Sequence, residues 1–205
     1  MRSIRGWLVA ALVGAAVFAL SWAVQPYDAQ VGHAVLGAPG FLKVAGGMAL
    51  IGSIVIIGPA LVVTVGILGW AERWWSAARV AAGVLLPEIV TRVLKVVFHR
   101  PRPSYALVPA TDFGFPSGHA TSAAALAVLA VWFGHSYFQR RRWVALLITV
   151  AAGWAAFMAL SRLVLGVHSL SDVVAGIGVG VCVSSLVLAS SLAAERQPSR
   201  RPLRR

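Results

Sequence analysis

The chain has 205 residues, 59% of them hydrophobic and 12% charged, with a mean hydropathy of +0.82. It is too apolar for an ordinary water-soluble globule and too hydrophobic to be disordered. Eighteen Lys and Arg against six Asp and Glu give a net charge of +12, but the cations flank apolar runs, which argues against nucleic acid as the partner.

At about 20 residues per bilayer crossing, the length accommodates about six spanning helices and no appended soluble domain. The expected architecture is an all-α, polytopic membrane bundle over residues 1–195, with a basic, disordered cytoplasmic tail at 196–205. The first apolar run, Trp7 to Val24, follows Arg2 and Arg5 as a signal peptide would. Ser21-Trp22-Ala23 is a poor cleavage site, so the run reads as a retained helix. A polar stretch with Gln25, Pro26, Asp28 and Gln30 leads to a second run, Val44 to Trp70, long enough to span with tilt. The third, Ala77 to Phe98, carries Arg79, Glu88, Arg92 and Lys95, and ionisable residues at membrane depth are paired or functional by default. Glu88, four residues before Arg92, is expected either to pair with it and help position Lys95 or to make a purely structural pair between helices. Runs from His119 to Phe138, Trp143 to Leu160 and Asp172 to Leu192 complete six spans.

An even number of spans places both termini on one side. That side also holds Arg73, Arg140 to Arg142 and the tail arginines, so the positive-inside rule makes it cytoplasmic. The same clusters suit anionic lipid headgroups. Residues 25–43, 99–118 and 161–171 then face outward from the cytoplasmic membrane. The single cysteine, Cys182, lies in an apolar run and supports neither a disulfide framework nor a cysteine-ligated metal site.

Three outward segments carry groups suited to chemistry. In KVVFHRPRP, Lys95 ends the third helix and Arg102 follows Pro101, so two cations can converge on one anion, unless both merely snorkel to the interface. In Phe115-Pro116-Ser117-Gly118-His119, Ser117 and the free amides of a helix start can bind an anion, and His119 can protonate a leaving oxygen. The plainer reading is a helix cap beside an interfacial histidine. In SRLVLGVHSLSD, His168 and Asp172 are four apart, so on a helix the carboxylate could orient the imidazole; Arg162 adds a third cation. A buried His–Asp bond serving only packing is the alternative. Together, three cations, two histidines and one carboxylate on one face suggest phosphoryl transfer without a metal or other cofactor.

In order and spacing these segments resemble the type 2 phosphatidic acid phosphatase superfamily, over about Lys95 to Asp172. The resemblance implies that His168 is a nucleophile forming a phosphohistidine, that Asp172 orients it, and that His119 is the general acid and then the base that activates water. Lys95, Arg102, Arg162, Ser117 and the Gly118 amide would hold phosphate oxygens. Val164, Ser169 and Leu170 depart from the family's usual residues without touching a proposed catalytic group. The expected activity is removal of a terminal phosphate from a membrane lipid: a polyprenyl diphosphate first, then phosphatidic acid or phosphatidylglycerol phosphate. A lipid-phosphate binder or translocator without hydrolysis, and a lipid phosphotransferase, remain alternatives; the six spans argue against a soluble vanadate-dependent haloperoxidase. Nothing in the sequence specifies an oligomeric state.

Overall fold

The computed structural model describes residues 3–38 and 40–196. Among these the chain forms eight α-helices and no strand: α1 Ile4–Val24, α2 Asp28–Val35, α3 Leu42–Ile51, α4 Ile54–Trp70, α5 Trp74–Phe98, α6 Gly118–Tyr137, α7 Arg141–Val164 and α8 Leu170–Arg196. Four stretches are long and apolar enough to cross a membrane: Ile4–Val35, Leu42–Trp70, Arg141–Val164 and Leu170–Glu195. Helices α5 and α6 bring the helical stretches of spanning length to six. Their polar residues lower their hydropathy, and several of those residues, Arg79, Thr91, Lys95, Thr121 and Ser122 among them, are buried against protein. Thr91 on α5 donates to Thr121 on α6 at 3.0 Å, and Arg79 reaches Ser191 and Glu195 on α8 at 3.0 and 2.5 Å. This is an all-α, multi-pass membrane protein. From residue 197 onward the expected tail lies outside the described residues.

Two sequence expectations need correction. The run from Val44 to Trp70 is two helices, because Gly52 and Ser53 end α3 before α4 begins. The segment expected as a polar loop after Val24 contains α2, which continues from a single 3-10 turn at Gln25–Tyr27.

Helix α8 lies at the centre, packed most extensively on α1 and next on α6 and α5. Apolar side chains drive no association within a lipid solvent, so close backbone approach through small residues must supply the contact. Gly178 of α8 meets the backbone of Phe18 on α1, and Gly14 of α1 meets that of Cys182. On the other face, a Cβ at Gly176 or Gly180 would collide with the carbonyls of Ser117 and Thr121 on α6. Trp7, Leu129, Trp132 and Leu188 fill the space left beside these seams, away from the polar end. Leu12, Val62, Val63 and Val97 are among the large apolar side chains left on the outside, where lipid would cover them.

Gly178→Ala is expected to lower the thermal unfolding midpoint in detergent, an overpacking cost of about 1–3 kcal/mol. Gly153→Ala on α7, whose added methyl meets nothing within 4 Å, should not lower it.

Candidate active site

The last turns of α5 and α7 and the first turns of α6 and α8 meet at one end of the bundle, capped by α2, α3 and the loop from His99 to Ser117. Here α8 opens with a reciprocal cap in the Ser169-Leu170-Ser171-Asp172 stretch. The Ser169 amide donates to Asp172 Oδ2 at 2.8 Å, while the Asp172 amide donates to Ser169 Oγ at 3.4 Å. This fixes the carboxylate. His168 lies just before the helix, not on it as the four-residue spacing suggested, yet its Nδ1 stands 3.6 Å from Asp172 Oδ2.

The other ring nitrogen determines the tautomer. Arg102 Nη1 is 3.1 Å from His168 Nε2, and a guanidinium has only donors, so Nε2 must accept and carries its lone pair. In the neutral ring the proton is then on Nδ1, facing Asp172. Burial holds the His168 pKa below the ordinary imidazole value of 6.5; Asp172 opposes that shift, while the charges of Arg102 and Lys95 add to it. His168 is therefore neutral near pH 7.

Lys95 and Arg102 do converge, and on one anion. Lys95 Nζ is 2.9 Å from Asp112 Oδ2, Arg102 Nη2 donates to Asp112 Oδ1, and Arg102 Nε donates to the Asp112 carbonyl at 3.0 Å. Arg102 Nη1 also donates to the Val167 carbonyl at 2.6 Å, tying the loop after α5 to the one before α8. Partial burial would raise the Asp112 pKa, but hydrogen bonds and charge from the two cations outweigh it and hold the carboxyl at about 2.

His119, in the first turn of α6, donates Nε2–H to the Ala49 carbonyl at 3.0 Å, because a carbonyl can only accept. That carbonyl is free because α3 ends there: Ser53 N, its helical donor, bonds Leu50 O instead. Nδ1 is left as the nitrogen available for proton transfer. A Cβ at Gly52 would strike Met158 and crowd His119, so glycine also makes room beside the ring.

Lys95, Arg102, Gly118, His119 and His168 line one cavity of about 680 Å³, together with Asp112. Three expected residues stand outside its lining. Asp172 is buried behind His168. Arg162, expected in an outward loop, belongs to the last turn of α7 and donates to Ser161 Oγ and the Ala45 carbonyl, both at 3.2 Å. Ser117 is fully buried; its amide donates to the Asp172 carbonyl at 2.9 Å, and its Oγ has no hydrogen-bond partner among the described residues. No group of three His, Cys, Asp or Glu side chains among those residues could hold a metal ion.

Several contributors were not singled out from the sequence. Besides Asp112, Arg100 bridges Asp28 of α2 at 2.7 Å, Ser171 at 2.7 Å and Asp172 Oδ1 at 3.4 Å, and Asp28 accepts from the Ser171 amide at 2.8 Å. The available signal was scarcity: the chain has six acidic residues, and a carboxylate beside apolar runs needs a cation or a hydrogen-bond donor.

Two histidines held in defined tautomers thus lie beside paired cations at one end of an all-helical membrane bundle. Residues 76–196 match the model of the PAP2 superfamily, and the chain belongs to that superfamily. Phosphatidylglycerophosphatase B of Bacillus subtilis is 28% identical over 170 residues, 80% of this chain and 83% of that protein. Decaprenylphosphoryl-5-phosphoribose phosphatase of Mycobacterium tuberculosis is 28% identical over 176 residues, 83% and 91% of the two chains. The crystal structure of a transmembrane PAP2-type phosphatidylglycerolphosphate phosphatase from Bacillus subtilis superposes with a TM-score of 0.75 at 25% identity, over 97% of this chain and 100% of that one. The class is that of a membrane phosphatase, a hydrolase of phosphoric monoesters.

With the phosphate-binding roles expected of Lys95 and Arg102, a phosphate would draw on the donors that now hold Asp112. Asp112→Asn is therefore expected to let inorganic phosphate raise the thermal midpoint of the solubilised protein at severalfold lower concentration than in wild type. An unchanged phosphate dependence would show that the carboxylate does not compete.

Proposed function

We infer that the protein removes the terminal phosphate of a membrane lipid through a phosphohistidine, at a site opening on the outer face of the cytoplasmic membrane. The observation that carries this reading is the Arg102–His168 contact: it shows that Nε2 holds the ring's lone pair, and a phosphate oxygen that takes over the Arg102 N–H would free that lone pair for the phosphorus beside it. The two relatives, named for phosphatidylglycerophosphate and for decaprenylphosphoryl-5-phosphoribose, support a lipid phosphate as substrate.

In the first step His168 Nε2 attacks phosphorus. The bond from phosphorus to the lipid oxygen breaks, and protonated His119 gives its Nδ1 proton to that oxygen. The positive charge that develops on the His168 ring is balanced by Asp172, held in place by the α8 cap and by Arg100. Lys95 and Arg102, with the Gly118 amide, take the phosphate oxygens as Asp112 withdraws. Ser117 Oγ and Arg162 would join them after a small movement, since both are buried just behind the cavity wall.

In the second step His119 Nδ1 takes a proton from water, whose oxygen attacks phosphorus. The phosphorus–nitrogen bond breaks, its electron pair returns to His168 Nε2, and inorganic phosphate leaves with His119 protonated again. The lipid tail stays in the bilayer throughout, entering between α4 and α5, where Ile57 and Ile89 line the same cavity.

The cytoplasmic placement of both termini rests on the arginine clusters. Arg73 stacks on Tyr137, so the α4–α5 turn and the end of α6 share the end of the bundle opposite the histidines.

Purified protein is expected to release phosphate from lipid phosphates in excess chelator, and His168→Ala should abolish release and the acid-labile phosphoryl-enzyme trapped by rapid quench. Chelator-sensitive release, or a phosphoryl-enzyme persisting in that variant, would contradict the reading. For orientation, a cysteine placed in the Arg140 to Arg142 loop of a Cys182→Ser chain should resist membrane-impermeant labelling in intact cells, and label after permeabilisation.

A further inference from the structure

The cavity extends beyond the catalytic groups, and its walls change character along α5. Lys95 stands at the top, beside the histidines. Arg92 and Glu88 line the next turns down, and Ile89 and Leu85, both about half exposed, continue toward the bilayer interior. A spacing of three residues places Arg92 about 4.5 Å along the helix from Lys95, on the same face.

Arg92 is an exposed cation in a membrane helix, and among the described residues nothing forms a hydrogen bond or ion pair with its guanidinium. Glu88, the expected partner, is near enough for Arg92 to attract its charge but makes no direct ion pair with it, and accepts its hydrogen bond from Ser122 Oγ on α6. An arginine at this depth with no counter-ion in hydrogen-bonding contact is costly. The cavity wall therefore offers a second site for an anion, one turn nearer the lipid tail than the first.

We propose that Arg92 binds a second phosphate of the substrate, one lying between the scissile phosphate and the lipid tail, and so selects lipids with two phosphates over simple lipid monophosphates. This rests on the reading above that a lipid phosphate is hydrolysed at Lys95, Arg102 and His168. With the terminal phosphate on those groups and the tail against Ile89 and Leu85, the linking group passes Arg92. A neutral link would leave the guanidinium unpaired, whereas a phosphodiester or an inner phosphate accepts its hydrogen bonds in pairs. Glu88 and Ser122 lie beside it, and the side-chain oxygens of both can accept hydrogen bonds from a hydroxylated linker.

The test compares phosphatidylglycerol phosphate with phosphatidic acid of the same acyl chains, using wild type, Arg92→Gln and Arg92→Lys. Arg92→Gln is expected to lower kcat/KM for phosphatidylglycerol phosphate roughly tenfold, mainly through KM, the loss expected for one charged hydrogen-bonded contact. Turnover of phosphatidic acid should stay within about twofold, and Arg92→Lys should recover part of the loss. Equal losses on both lipids, or none on either, would overturn the proposal, the latter being what a snorkelling arginine gives. Binding of the same lipids is measured in the His168→Ala background with and without Arg92→Gln. If wild type releases phosphate from neither lipid, the phosphatase reading fails, and this binding preference alone then decides for or against the second site.

Discussion

The Ser117 amide donates to the Asp172 carbonyl at 2.9 Å, joining the first residues of α6 and α8 backbone to backbone. Such proximity requires that nothing stand between the helices, and Gly176 and Gly180 meet that requirement by presenting no side chain to the α6 carbonyls. Helix α6 answers with Ala120 and Ala124. His119 sits two residues from one end of this bond and His168 four residues from the other. A wider seam between α6 and α8 would separate His119 from His168 before either residue changed. In a lipid solvent that does not push helices together, the separation of the two histidines is thus set by the absence of side chains several residues away.

The six helical stretches were legible because each long apolar run needs a bilayer or a core, and the three polar segments were legible because their residues are expensive beside apolar runs. The break at Gly52 was not. An isolated glycine followed by serine inside an apolar run is compatible with a continuous helix, and only the diverted Ser53 amide shows that the backbone turns there. The break frees the Ala49 carbonyl that fixes the His119 tautomer, so a local irregularity without sequence periodicity decides which nitrogen of that ring stays free. Similarly, the His168–Asp172 spacing suggested a helical pair. The structure reaches the same pairing by another route: Asp172 caps its own helix through Ser169, and the preceding loop brings His168 onto the capped carboxylate. Arg100 and Asp28 were hard to assign because their partnership spans 72 residues of sequence and depends on α2 folding back over the start of α8.

Electrostatics at this end of the bundle follow from the scarcity of acids. Asp28, Asp112 and Asp172 are each shared among several donors, and each joins segments distant in sequence. Asp28 holds α2 to α8 through Ser171 and Arg100. Asp172 faces His168 and Arg100, and Asp112 collects Lys95 and Arg102. Every such link removes charge from a low-dielectric setting where an unpaired ion would be strongly destabilising.

That constraint also explains why the cationic site carries a carboxylate of its own. Lys95 is 8% exposed, and Arg102 is committed to the loop carbonyls and His168, so neither cation can turn to bulk water when no substrate is bound. Asp112 supplies the missing anion. With its side chain 57% exposed, it can rehydrate when released, at far smaller cost than either cation would incur. A phosphate monoester carries more charge than a carboxylate and three oxygens instead of two, so it can replace Asp112 without leaving a donor unpaired. On the proposed reading the site would thus pass from one neutralised state to another, and binding would not have to overcome the cost of two bare cations in an apolar wall.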